Sequence, residues 1–90
     1  MSTVFVRHKV ADYDIWKAGF DEHVRVRREY GLADAGLYRD VADPTVVTIV
    51  LTADDVNRAQ EFLGSEDLRE TMGRLGVVSA PDTWITSEVT

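Results

Sequence analysis

Val4, Val6 and Val10 recur at even spacing across residues 3–10, the period of two that marks a strand. After Asp12 the period changes. With successive residues set about 100° apart, Tyr13, Trp16, Phe20, Val24 and Tyr30 fall within about 80° of Trp16, and Asp14, Lys17, Asp21, Arg25, Arg28 and Glu29 lie on the other side. The spacing predicts one amphipathic helix over residues 13–30. The Asp12 carboxylate is placed to accept the orphan amides at its start, and Gly31 ends it where the chain needs a left-handed turn.

A weaker strand pattern covers residues 36–41, and Asp43-Pro44 turns the chain into its densest apolar run, residues 46–51. Thr52 and Asp55 have the spacing of a capping box, opening a helix through Val56, Ala59, Phe62 and Leu63. Gly64-Ser65 interrupts it, and a shorter helix carrying Leu68, Met72 and Leu75 runs to Gly76. Pro81 precedes a last strand over residues 82–89. This order, β-α-β-β-α-β, predicts an α+β, ferredoxin-like fold, a four-stranded antiparallel sheet with helices on one face. Residues 1–90 form one domain, being close to the common domain size with no linker or internal repeat.

Helices on one face leave the other bare. Yet the run 46–51 is apolar on both sides, and Phe5 points opposite to Val4 and Val6. A contiguous apolar sheet face marks an interface, and a second copy of the chain is its simplest cover, so the expected state is a homodimer. Size agrees: a domain this small buries only about 60 % of its unfolded surface alone.

Composition narrows the chemistry. A net charge of -6 repels phosphate backbones and anionic lipid, so neither nucleic acid nor membrane is an expected partner. With no cysteine there is no disulfide, thiolate metal site or thiol nucleophile. The first ten residues show neither signal peptide nor membrane span, and the expected location is cytoplasmic. No paired-histidine metal motif, phosphate loop, nucleophile elbow or dinucleotide fingerprint occurs, so the expectation is no metal and no cofactor.

Two polar residues stand on the apolar helix face. His23 lies about 20° from Trp16 and Arg27 about 20° on its other side. An unpaired charge there would be destabilising by several kcal/mol on the order of a buried ion, so Arg27 must find a carboxylate, reach out along its stem or face a solvated cavity. One reading is a pocket between helix and sheet in which Trp16, Phe20 and Tyr30 contact a flat apolar or aromatic molecule while His23 and Arg27 orient its polar end. The other is structural: Arg27 escapes past the helix end and His23 makes one buried hydrogen bond. In the pocket reading, burial beside the guanidinium keeps His23 neutral and able to act as a base, and Arg27 holds an enolate or carboxylate oxygen. Alternation places His8 with Val4, Val6 and Val10 without saying which sheet face they line, so it belongs either to the pocket, as a second catalytic imidazole, or to the dimer interface. Tyr38 and Trp84 are further candidates for ligand contact from the second and last strands.

The chain resembles the dimeric α/β-barrel superfamily, which contains small antibiotic-biosynthesis monooxygenases and polyketide cyclases. The resemblance runs through Val6-Arg7-His8-Lys9-Val10-x-Asp12-Tyr13-x-x-Trp16, Tyr38-Arg39-Asp40 with Asp43-Pro44, Ser65-x-x-Leu68-x-x-x-Met72 and Gly76-Val77. It implies that two sheets close into a barrel between subunits, with a ligand held between helices and sheet in each. Haem-degrading members present a histidine from the second helical region, and residues 52–76 have none. Cofactor-free monooxygenase members use an asparagine and a tryptophan, and Asn57 is the only asparagine here. The resemblance thus implies a cyclase or cofactor-free oxygenase acting on an aromatic or polyketide-like molecule, with a non-catalytic small-molecule-binding or stress-response homodimer as the alternative.

Overall fold

A computed structural model describes residues 1–89, and Thr90, the end of the expected domain, lies outside the described residues. Its elements in chain order are β1 (Ser2–Lys9), α1 (Tyr13–Glu22), α2 (Val24–Glu29), β2 (Leu32–Arg39), β3 (Val46–Ala53), α3 (Val56–Leu63), α4 (Glu66–Arg74) and β4 (Asp82–Ser87). The strands form one antiparallel sheet in the order β2-β3-β1-β4, the ferredoxin-like arrangement, with the two most apolar strands at its centre.

Pairing of β1 with β3 sets Val4 against Leu51, Val6 against Ile49 and His8 against Val47. All six are buried beneath the helices, where Trp16, Ala59 and Phe62 complete the core. The intervening residues face the other way. There Phe5 pairs with Trp84 and stacks on it at 5.4 Å and 9°, and Tyr38 sits opposite Thr48. Trp84 and Tyr38 remain exposed.

The local chemistry explains most element ends. The Asp12 carboxylate accepts from Ile15 N–H, and Ser65 Oγ accepts from Leu68 N–H, each satisfying a donor that the first helical turn leaves free. Gly31 and Gly76 take φ of 75° and 81° after α2 and α4, a left-handed conformation that a side chain resists. In the β2–β3 turn, Asp43 accepts from both the amide and the hydroxyl of Thr45. The hydroxyl bond foremost holds the Asp43 carboxyl below its ordinary range.

Four expectations change. The helix over residues 13–30 is two helices that meet at His23. The Phe20 carbonyl at the end of α1 accepts the Arg27 Nη1–H at 2.8 Å, so a side chain enters the helical ladder and breaks it. The capping box does not form: Thr52 belongs to β3, and Asp55 alone caps α3 by accepting from the Asn57 and Arg58 amides. Strand β2 begins at Leu32 and ends at Arg39, because a register shift between Asp34 and Gly36 hides its alternation and Val41 is in the solvent-exposed turn. The last strand stops at Ser87.

Candidate functional site

Between the sheet and the helices lies a partly open cavity of about 50 Å³. Its floor is Val6, His8, Ile49 and Leu51 from the two central strands. Trp16, Phe20, His23 and Arg27 form one wall, and Phe62, Leu68, Thr71, Met72 and Leu75 from α3 and α4 form the other. The α1 helix fits closely against this second wall: a β-carbon at Gly19 would lie 2.1 Å from a Leu75 methyl.

Arg27 is 3 % exposed and found the carboxylate its burial demands. Its Nε and Nη2 donate to the two oxygens of Asp34 at 2.8 and 3.0 Å, a bidentate pair. The Phe20 ring lies 3.8 Å beneath the guanidinium carbon. Arg27 is therefore held by its own protein, which corrects the expectation that it waits for a ligand oxygen. Asp34 sits on the helix-facing side of β2, seven residues beyond Arg27 across the Gly31 turn.

His23 occupies the junction of α1 and α2, where the broken helix carries its ring toward α4. Its Nε2 lies 2.9 Å from an oxygen of Asp67 in the first turn of α4. The expected neighbour was the guanidinium, whereas the hydrogen-bonded one is a carboxylate. His8 faces the helices, settling which side of the sheet it lines, and is 4 % exposed. Trp16 meets its ring edge-on at 5.6 Å. The His8 Nδ1 is buried without a hydrogen-bond partner among the described residues, and burial pushes the imidazole below its ordinary pKa of 6.5.

The structure thus brings His8, Trp16, Phe20, His23 and Arg27 to one cavity and leaves three expected contacts outside it. Tyr30 packs on Phe62 at 5.4 Å, turned away by the break in the helix, and Arg58 stands over its ring. Tyr38 and Trp84 lie on the opposite face of the sheet, because strand alternation sends them there with Phe5. Asn57 is exposed at the start of α3 and does not line the cavity. Asp34, Asp67 and Thr71 were not anticipated. The demand of Arg27 for a carboxylate was the one signal pointing to Asp34.

Solved structures share this architecture over the whole chain. A crystal structure of an antibiotic biosynthesis monooxygenase superposes with a TM-score of 0.73 at 17 % identity, covering 100 % of both chains. SnoaB, a cofactor-independent oxygenase from Streptomyces nogalater, gives 0.75 at 12 % identity over 99 % of this chain and 93 % of its own. The chain shares the fold of these proteins. A protein from Bordetella bronchiseptica, named provisionally as another such monooxygenase, gives 0.78 at 17 % identity over 99 % of this chain and 97 % of its own. No family model and no curated protein matches the sequence. Among the described residues no helix is long and apolar enough to cross a membrane.

Proposed function

We propose that the chain is a small-molecule enzyme of the polyketide-cyclase or cofactor-free oxygenase kind, which works as a homodimer on an aromatic or polyketide-like substrate held between helices and sheet. The observation that carries this reading is the pair of imidazoles on one largely apolar cavity, one backed by a carboxylate and the other with a buried nitrogen that has no partner among the described residues. A carboxylate that accepts the Nε2–H of a neutral His23 leaves Nδ1 as the basic nitrogen, the arrangement a general base requires. In this role His23 takes a proton from carbon beside a substrate carbonyl, and the electron pair of the broken C–H bond remains on the substrate as an enolate. Ring closure then proceeds by attack of that enolate carbon on a second carbonyl of the substrate, and oxygenation by its reaction with dioxygen. His8, kept neutral by burial, keeps one N–H that can donate to the substrate oxygen.

The uncovered face of the sheet supports the second copy. Phe5, Trp84, Val50 and Tyr38 share that face, and stacked aromatics in a flat exposed patch are the kind of surface that pairs with itself.

The shared first step is testable with 2-tetralone, an aromatic ketone with acidic C–H bonds, by following its exchange in deuterated water by proton NMR. The protein is expected to accelerate exchange, and His23→Ala to slow the catalysed rate by about 100-fold or more. Equal rates for a folded His23→Ala protein and the wild type would remove His23 from the reaction. Exchange no faster than in buffer, for the wild type, would favour the non-catalytic binding protein.

A further inference from the structure

The cavity wall bears on what kind of molecule it accepts, given the reading that the cavity is a ligand site. A guanidinium on the wall would ordinarily point to an anionic ligand. Here its charge is already met: both oxygens of Asp34 accept from Arg27, and its Nη1 is bonded to the Phe20 carbonyl. A ligand carboxylate would have to displace Asp34, with which Arg27 shares two hydrogen bonds, or enter without a counter-ion. Either course is unfavourable at a guanidinium that is itself 3 % exposed.

Besides Arg27 the lining carries His8, His23 and Thr71, and His8 works in the opposite sense. The His8 imidazole is more than nine-tenths buried among apolar residues, and its Nδ1 lacks a partner among the described residues. Burial disfavours the imidazolium, so His8 is a poor counter-ion and a good neutral hydrogen-bonding group. Around it the wall is hydrocarbon and aromatic ring, with Met72 able to yield to the shape of a guest.

We infer that the cavity selects uncharged molecules that carry a hydroxyl or carbonyl oxygen on a flat apolar body, that His8 recognises this oxygen, and that carboxylates of the same shape are rejected. His8 is then a specificity-determining residue, separate from the proton transfer assigned to His23.

Phenol, benzoate and toluene test this at pH 7.5, by calorimetric titration of the intact protein, with the indole N–H resonance of Trp16 reporting whether binding occurs at the cavity. Phenol is expected to bind about tenfold tighter than benzoate and several-fold tighter than toluene, as a single neutral hydrogen bond in a buried site allows. His8→Phe should erase the preference for phenol over toluene and leave toluene binding in place. Benzoate binding at Trp16 as tightly as phenol would overturn the charge selection while keeping the cavity as a ligand site. A preference for phenol over toluene that survives in folded His8→Phe would overturn the role of His8. If none of the three perturbs Trp16, the ligand-site reading itself falls. Should His8→Phe fail to fold, the order of phenol and benzoate on the wild type still decides the selection.

Discussion

On the covered face of the sheet, Val4, Val6 and His8 lie under the helices beside Ile49 and Leu51, and each buried charge there has a named partner. One residue along the same strands, Phe5, Trp84, Thr48 and Tyr38 face away from every described helix, with the exposed charges of Arg7 and Asp82 on the same side. The difference teaches how, on the proposed function, one sheet serves a site on one face and an interface on the other. The covered side carries polar groups whose placement is dictated one by one, as a chemical site requires. The open side carries exposed rings flanked by charges that solvent reaches, the mixture of apolar centre and polar rim found at interfaces.

Removing the partner of the buried guanidinium puts the largest strain on this contrast. Asp34→Ala should destabilise the fold by about 3 kcal/mol, because it leaves Arg27 charged and unpaired, and a urea titration reads the change. An effect near zero would mean that the covered face does not depend on paired charges. Next in size, Trp84→Ala should weaken self-association by about 2 kcal/mol, the loss typical of an aromatic anchor buried at an interface. Sedimentation measures it, and phenol binding to the cavity should be unchanged, since Trp84 and the cavity lie on opposite faces. A smaller effect separates the faces by pH. The pKa of His8 is lowered in the folded protein, so the unfolded chain binds more protons; its contribution is fully present above pH 6.5 and is lost as pH falls from there toward the folded value. Wild type should therefore lose more stability than His8→Phe between pH 7.5 and pH 5.5, and equal losses would mean that His8 is not held neutral by burial.

Much of the covered face was legible in the sequence, because burial imposes periods that can be counted. Val4, Val6, Trp16 and Phe20 fall where alternation and the helical wheel place them. What periodicity cannot supply is the relation between elements. It divides His8, Tyr38 and Trp84 between two sheet faces without saying which face the helices take. A wheel drawn through residues 13–30 also assumes an unbroken helix, and it carries no sign that the Arg27 side chain bonds back to the Phe20 carbonyl at the break. Tyr30 lies beyond that break, and so its expected place in the cavity was lost. Asp67 reads in sequence as an acidic residue favouring a helix start, which it is. Its bond to His23 depends on how α4 docks. The start of β2 was hidden for a different reason: Leu32-Ala33-Asp34-Ala35 does not alternate, because the register shifts within it.

Native mass spectrometry of the wild-type protein at micromolar concentration tests most directly whether the two faces have divided the work. The expected spectrum shows twice the chain mass, and added phenol shifts that species by whole phenol masses while leaving it dimeric. A spectrum of monomer alone at those concentrations would contradict the account, because the open face would then have no second copy to cover it.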